Sequence, residues 1–371
     1  MKALILADPN SSHTIKWVTS LASKRIEVLL YGLGKLRVDS YKSYSNVHVK
    51  CDEDVKITRN EGSIQKLSYL KVIPEIRRLI DTFRPDILHA HYASSYGFIG
   101  ALLNFHPFVV SVWGSDVYSF PNKSFAHRGI IKYVLSKADL ICSTSYSMAL
   151  KTQMYTDKHI YVVPFGVDVS IFCPMKVNSF WDKEASVVGT VKTLEEKYGI
   201  EYLIKGFAKF VSRYPNFPVR LLIVGGGSLE SKLKKICEEL NIGSKVWFTG
   251  RVPYEEVPKY HNMLSIFVSV SDSESFGVAV IEAMACGKPV IVSNVGGLPE
   301  VTCDGKTGFI VRAKNENDVY RAISFLLFKP SLLEKMGRMG KKRVEKVYAW
   351  HVCLSKMLSL YDLALNRGVT L

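Results

Sequence analysis

Two glutamates stand eight residues apart in the segment SESFGVAVIEAMACGKPV, which covers residues 273–290. The apolar run predicts a helix from about Phe276, so that Glu274 lies in the preceding loop and Glu282 near the second turn. The first N–H groups of a helix are unpaired and partly positive, so they attract phosphate, and Gly277 leaves room for one. Carboxylates on both sides of a phosphate can bind sugar hydroxyls. The pattern predicts a nucleotide-sugar site, and an ordinary amphipathic helix preceded by a glutamate is the alternative.

The elements that must position these residues alternate between short apolar strands and amphipathic helices. Lys2–Ala7 and Asp86–His91 are predicted strands, Ile64–Phe83 is a predicted helix, and the pattern restarts with a strand at Val187–Val191. Near-continuous apolar strands separated by helices are typical of parallel sheets covered on both faces. We therefore predict an α/β protein with two Rossmann-like, doubly wound domains that face a central cleft. Ligands of such sheets bind beyond the carboxyl ends of the strands.

A stretch that contains Pro164, Gly166 and Pro174 separates the two halves, and the length of 371 residues suits two domains. The last predicted segment is a C-terminal helix, which would be able to pack back on the N-terminal domain. The predicted order is an N-terminal domain over 1–166, a linker over 167–186, a C-terminal nucleotide-sugar domain over 187–345 and the helix over 346–371.

The composition restricts the partners. The chain has 49 Lys and Arg against 34 Asp and Glu, a formal charge of +15. Such a surface attracts phosphates, whether of nucleotides, nucleic acid or anionic lipid. No nucleic-acid motif or concentrated basic stripe is present, so nucleic acid is not an expected partner.

Cysteine usage and hydropathy indicate the compartment. The seven Cys are scattered and form no CxxC pair, which argues against a disulfide framework and a zinc site and favours a reducing compartment. Only five apolar residues precede Asp8, too few for a secretion signal, and no apolar run is long enough to span a bilayer. We expect a cytoplasmic protein, and a peripheral position at the inner membrane face stays open.

The segment ESFGVAVIEAMACGKPV resembles the Glu-x7-Glu signature of the retaining family-4 glycosyltransferases, which have the GT-B fold. Four further segments match in the same order, so the resemblance covers most of the chain. They are HTIKWVTSL (13–21), PDILHAHYASSYG (85–97), VPFGVDVSIF (163–172) and SNVGGLPEVTCDGKTGFIV (293–311).

The resemblance implies a retaining, hexosyltransferase-type enzyme that needs neither a metal ion nor another cofactor. Its donor would be a UDP- or GDP-linked sugar, and its acceptor a glycan or a lipid-linked molecule in cell-surface polysaccharide synthesis. A nucleotide-sugar epimerase or a phosphorylase on the same fold is the main alternative, and a basic nucleic-acid-binding protein is a more distant one.

The resemblance also implies roles on the donor side. Glu274 would hold hydroxyls of the donor sugar and Glu282 the ribose hydroxyls. Lys192 and Lys197 match a basic pair that binds the diphosphate, and they would stabilise the charge that builds on the leaving group. Lys192 stands where the family often has Arg and offers a point charge instead of a planar fork. The other predicted donor-binding residues are Ser275, Phe276, Gly277, Gly225, Gly296 and Gly297.

The N-terminal domain is expected to bind the acceptor. His13 and Ser12 are predicted acceptor-side residues, and Ser12 lies in a loop where many relatives have glycine. Trp113 stands where many relatives have His, so a histidine base at that position is in doubt, and the indole could instead stack on a sugar face. Asp116 is a candidate base or acceptor ligand, with a helix N-cap as its alternative. His91 is a catalytic candidate at a strand end.

Four other charged or metal-like features are set aside. His89 and His91 share one strand face, but without a third ligand they predict no metal site. Asp52-Glu53-Asp54 is a DxD sequence without a preceding buried strand and is predicted to be a charged loop. The basic helix over 334–346 and the group Arg128, Lys132 and Lys137 are predicted to be solvated faces, with contact to anionic lipid as the alternative.

Overall fold

The computed structural model describes residues 1–55, 69–177 and 185–367. Contacts between Cα atoms divide the chain into two compact units, one formed by Met1–Pro164 with Leu354–Leu371 and the other by Phe165–Cys353. The predicted boundary at residue 166 lies beside this division, and the predicted linker falls within the second unit.

The first unit contains a parallel sheet in the order β3-β2-β1-β4-β5-β6-β7. Its described strands are β1 (Lys2–Leu6), β2 (Glu27–Leu33), β3 (Val47–Asp52), β4 (Ile87–His91), β5 (Phe108–Val112), β6 (Leu140–Ser143) and β7 (Ile160–Val162). Its described helices before the C-terminal one are α1 (Ser12–Ser23), α2 (Ile73–Phe83), α3 (Tyr96–Leu103), α4 (Ser115–Tyr118), α5 (Phe125–Lys137) and α6 (Tyr146–Gln153).

The second unit contains a parallel sheet in the order β10-β9-β8-β11-β12-β13. Its described strands are β8 (Ser186–Val191), β9 (Val219–Val224), β10 (Val246–Phe248), β11 (Ile266–Ser269), β12 (Val290–Ser293) and β13 (Gly308–Val311). The helices are α7 (Ile200–Arg213), α8 (Glu230–Glu239), α9 (Val257–Met263), α10 (Val278–Ala285), α11 (Leu298–Val301), α12 (Glu316–Leu327), α13 (Pro330–Arg343) and α14 (Trp350–Arg367), and α14 belongs to the first unit from Leu354 onward.

Burial explains why the sequences of the strands are almost entirely apolar. Every residue of β4, β5, β11 and β12 is buried, because helices cover both faces of a parallel sheet and leave no solvated side. The predicted α/β class with two Rossmann-like domains is confirmed.

Helix starts differ most from the sequence prediction. The helix predicted from Ile64 begins at Ile73 as α2, after a 3-10 turn over 69–72, and residues 64–68 lie outside the described ranges. Within the described ranges, no helix combines the length and hydrophobicity needed to cross a bilayer.

Candidate active site

Apart from Glu282 on α10, the predicted donor residues lie in the connections that follow four strands of the second sheet, β8, β9, β11 and β12. These strands are neighbours, so their carboxyl ends share one edge of the sheet. From β8 the chain first adds β9 and β10 on one side and then β11 on the other. The order therefore reverses between β8 and β11, and ligands of doubly wound sheets bind at such a switch point.

The loop after β8 carries both predicted lysines. Lys192 Nζ lies 2.5 Å from Glu274 Oε2, and both side chains are mostly buried. The ammonium groups of Lys192 and Lys197 lie 4.4 Å and 4.9 Å from the centroid of the Tyr198 ring, within the range of cation–π attraction. The structure thus brings Glu274, Lys192 and Lys197 together. Sequence reasoning missed Tyr198, and its only signal was its place directly after Lys197.

Backbone contacts tie the site loops to one another. The Lys197 carbonyl accepts the N–H of Asp272 at 2.8 Å, and the Glu274 carbonyl accepts the N–H of Gly297 at 3.2 Å. A Cβ at Gly225 would lie 2.0 Å from the Lys192 carbonyl oxygen, so only glycine fits there. The loops after β8, β9, β11 and β12 therefore hold one another in place.

Helix α10 begins two residues later than predicted. Gly277 precedes it with φ 108°, a backbone conformation that favours glycine. Phe276 is buried, with its ring centroid 5.8 Å from that of Tyr348 and 6.4 Å from that of Phe165. This geometry gives Phe276 a packing role, and it leaves Ser275 and Gly277 as the loop residues beside the helix start.

Glu282 lies in the second turn of α10, as predicted, and is only 5% exposed. Its Oε1 accepts a hydrogen bond from the Tyr254 hydroxyl at 3.1 Å. Its Oε2 lies 3.6 Å from Nε2 of the fully buried His261. A carboxylate has about four lone-pair positions, so it can accept further hydrogen bonds. Tyr254 is 55% exposed, so its side chain has room to rotate away.

The first unit brings three of the predicted acceptor-side and catalytic residues together. The Trp113 ring centroid lies 4.5 Å from that of His91 and 5.9 Å from that of His13. Trp113 follows β5, His91 is the last residue of β4, and His13 lies in the first turn of α1, after β1. The first sheet reverses its order between β1 and β4. Burial, with smaller effects of His89 and His13, lowers the pKa of His91 well below its usual value, so its ring is neutral at pH 7. Ser12 is exposed at the start of α1.

The geometry of Asp116 does not favour its predicted role as a base. The side chain is fully buried in the first turn of α4. Its carboxylate accepts the N–H groups of Ala93 at 2.9 Å, Gly114 at 2.8 Å and Trp113 at 3.2 Å. Burial raises its pKa to about 6, although these hydrogen bonds act in the opposite direction. Asp116 instead fixes the loops that carry Trp113 and the residues after His91.

Tyr92 is a second residue that sequence reasoning missed. It follows β4 directly, has φ 79°, and its hydroxyl contacts Ser115 Oγ. A left-handed backbone is rare for a bulky side chain, and such strain clusters at functional sites. The only sequence signal was its position after a strand end.

The metal alternatives receive little support from the geometry. In residues 1–55, 69–177 and 185–367, no three His, Cys, Asp or Glu side chains are grouped to hold a metal ion. Asp52 Oδ1 accepts the N–H groups of Asp54 and Val55, so the DxD segment forms a local turn. Metal independence itself stays a prediction.

Two family models match the chain, and each corresponds to one of the sheets. "Glycosyl transferase 4-like" matches residues 2–145, and "Glycosyl transferases group 1" matches residues 175–343.

Curated relatives and solved structures agree with these matches. The chain is 28% identical over 336 residues to an uncharacterised glycosyltransferase of Methanocaldococcus jannaschii, covering 88% of both chains. It is 28% identical to the D-inositol 3-phosphate glycosyltransferase of Corynebacterium jeikeium, covering 75% of this chain and 72% of that one. The structure of Anabaena HepE with UDP and glucose superposes with a TM-score of 0.76 at 17% identity, covering 98% of this chain and 99% of that one.

The sheets, the Glu274–Glu282 segment and the two family models lead to one assignment. The chain belongs to the group 1, family-4-like glycosyltransferases of the GT-B fold.

Proposed function

We propose that this glycosyltransferase moves a sugar from a nucleotide-sugar to a glycan or lipid-linked acceptor in cell-surface polysaccharide synthesis, with retained anomeric configuration and without a metal ion. The observation that carries the proposal is the Lys192–Glu274 pair beside Lys197, at the switch point of the second sheet. These residues match the donor site that the sequence predicts.

The two lysines supply the positive charge that the reaction needs. When the bond between the sugar and the diphosphate breaks, negative charge builds on the leaving oxygen. Ammonium groups held beside that oxygen stabilise the transition state more than the ground state. Lys192 is held by Glu274 and both lysines by the Tyr198 ring. This arrangement supports a metal-independent departure of the diphosphate.

The carboxylates suit binding of hydroxyls more than nucleophilic attack. Glu274 is already paired with Lys192, which lowers its nucleophilicity while leaving lone pairs for sugar hydroxyls. Retention then proceeds on one face of the sugar: the acceptor oxygen bonds to the anomeric carbon as the diphosphate leaves. The proton of the acceptor hydroxyl passes to the departing diphosphate.

Glu282 is assigned to the ribose of the donor. A ribose diol would share the Glu282 carboxylate with Tyr254 or displace the Tyr254 hydroxyl from it. HepE, which has a similar fold, was solved with UDP and glucose. Uridine nucleotide-sugars are therefore among the first donors to test. A relative that acts on D-inositol 3-phosphate supports a hydroxyl group as the acceptor.

Turnover of nucleotide-sugars tests the proposal. A thermal-shift screen of nucleoside diphosphates and nucleotide-sugars identifies the donor, because a bound ligand raises the melting temperature by mass action. With that donor, E282A and K197A are expected to lower kcat/KM by about a hundredfold each, since each removes a charged contact.

The matched control is K235A, which removes an exposed lysine paired with Glu239 on α8. It is expected to keep wild-type turnover. Wild-type rates in both E282A and K197A would reject the site. Conversion of the donor sugar in the absence of any acceptor would instead favour the epimerase alternative.

A further inference from the structure

Helix α6 presents a stripe of large apolar side chains to solvent. Tyr146, Leu150 and Met154 are 69%, 68% and 59% exposed. They are spaced four residues apart, so they line one face of the helix. The opposite face is already buried through Met148 and Thr152. The stripe is therefore a surface feature and not a displaced part of the core.

Helix α5 adds a further exposed apolar side chain and positive charge. Phe125, in its first turn, is 92% exposed. Arg128 and Lys132 follow on the exposed side of the same helix. The Arg128 guanidinium lies 5.9 Å from the ring centroid of Tyr155, the residue after Met154, so the start of α5 lies beside the end of α6. We name these side chains the α5–α6 surface: Phe125, Arg128, Lys132, Tyr146, Leu150 and Met154.

Basic residues outnumber acidic ones in the sequence that forms this surface, where Asp139 and the exposed Asp157 are the acidic residues. The sequence has no acidic residue between Asp116 and Asp139, nor between Asp139 and Asp157. The same stretches contain five basic residues, Lys123, Arg128, Lys132, Lys137 and Lys151. Exposed apolar side chains among cations match the charge and polarity of a bilayer with anionic headgroups above its hydrocarbon.

We propose that the α5–α6 surface binds the surface of an anionic lipid bilayer. The apolar stripe enters the boundary between headgroups and acyl chains, and Arg128 and Lys132 contact headgroup phosphates. The proposal rests on the proposed function in one respect: a lipid-linked acceptor would explain why the enzyme binds a bilayer, because the acceptor would be presented at the bilayer surface.

The other basic helix is a weaker candidate because three of its basic residues already have partners. On α13, Arg343 donates to the backbone carbonyls of Glu300 and Val301. Lys341 pairs with Glu345 and Arg338 with Glu334. The sequence offers lipid contact as an alternative for both basic segments, and the contacts of α13 make the group on α5 the better candidate.

Co-sedimentation with vesicles tests the proposal. We compare phosphatidylcholine vesicles with vesicles of phosphatidylcholine and phosphatidylglycerol at a ratio of about seven to three. The wild-type protein is expected to bind the mixed vesicles, and binding should weaken as salt is raised because the headgroup attraction is screened. The double variant L150S/M154S is expected to lower the partition coefficient at least about tenfold.

Two matched controls accompany it. F328S changes an exposed apolar residue of the second unit, and K341Q/K342Q changes α13; both should bind vesicles like the wild type. Thermal melts confirm that the variants fold. Turnover of L150S/M154S with a water-soluble acceptor should equal that of the wild type, so a failure of the proposed function is seen separately from a failure of membrane binding.

Three results would overturn the proposal. The first is a wild-type protein that ignores mixed vesicles, and the second is an L150S/M154S variant that binds them normally. The third is a concentration-dependent dimer that L150S/M154S abolishes in the absence of vesicle binding, which would assign the surface to a second copy of the chain.

Discussion

Gly296 shows how closely the donor loops approach one another. Its φ is 53°, and a Cβ there would lie 1.6 Å from the carbonyl oxygen of Glu274. Any side chain at this position must move the loop that carries Glu274. Gly296 therefore affects the position of the Glu274 carboxylate as well as the stability of the fold.

G296A is expected to lower the free energy of unfolding by about 2 kcal/mol or more, because it adds a clash to the cost of a left-handed non-glycine residue. The matched control is G243A, where a new Cβ meets no atom within 4 Å. Denaturant titration of both variants gives the comparison. Equal stabilities would show that the loop after β12 is looser than described.

The buried Asp116 should make the free energy of unfolding depend on pH. Burial raises its pKa from 3.8 to about 6 in the folded protein. Between these values the folded state keeps a proton that the unfolded chain has released, so stability falls as pH rises through this window and is level above it. The loss is about 3 kcal/mol at about 1.4 kcal/mol per pKa unit.

The control for this effect is D116N, which keeps the side-chain shape and does not titrate. We expect the stability of the wild type relative to D116N to fall between about pH 4 and pH 6 in denaturant titrations. A difference that stays constant over this range would mean that the three backbone N–H groups outweigh the burial of Asp116.

At the scale of elements, a buried hydrogen-bonded chain joins α14 to the centre of the first sheet. His89 on β4 contacts the Tyr361 hydroxyl through Nδ1 at 2.7 Å and Ser111 Oγ through Nε2 at 2.8 Å. Burial lowers the pKa of His89 to about 3, so the ring is neutral and uses one nitrogen as donor and the other as acceptor. Tyr361 thereby anchors the C-terminal helix within the first unit.

Y361F is expected to cost about 1–3 kcal/mol of unfolding free energy, because it leaves a buried nitrogen of His89 unpaired. Y133F serves as the control, since it removes a hydroxyl from a partly exposed ring on α5. Chemical denaturation measures both. A Y361F protein as stable as the control would argue against an anchoring role for this hydrogen bond.

Elements with strong local signals were predictable. The apolar run before Glu274 and the helix period after it placed this residue in a loop and Glu282 on a helix. The start of α10 was wrong by two residues, because Gly277 adopts φ 108° and the side chain of Leu298 lies 2.9 Å from the position of a Cβ built there. That contact is distant in sequence and leaves no local pattern.

Side-chain partners across the fold were not predictable for the same reason. His261 contacts Glu282 from α9, and Tyr254 contacts it from the turn before α9. The sequence also left Asp116 open as a base or acceptor ligand and as a helix N-cap. Its burial and its hydrogen bonds to the N–H groups of two loops favour a structural role.

At the scale of the whole molecule, each unit repeats one design. Each parallel sheet reverses its strand order once, between β1 and β4 in the first unit and between β8 and β11 in the second. In both units the predicted functional residues gather at the strand ends beside that reversal. The alternation of strands and helices in the sequence predicted the two parallel sheets. The strand order of such a sheet in turn determines which loops lie next to one another at the reversal. The domain boundaries and the acceptor stay predictions.

The proposed reaction requires above all that a diphosphate binds beside Lys192 and Lys197. Isothermal titration of UDP and GDP measures this directly, with the wild type, K192A/K197A and the K235A control, each checked for folding by thermal melt. We predict that the wild type and the control bind at least one nucleotide and that K192A/K197A binds it at least about tenfold more weakly. A double variant that binds as tightly as the wild type, or a wild type that binds neither nucleotide, would contradict the account.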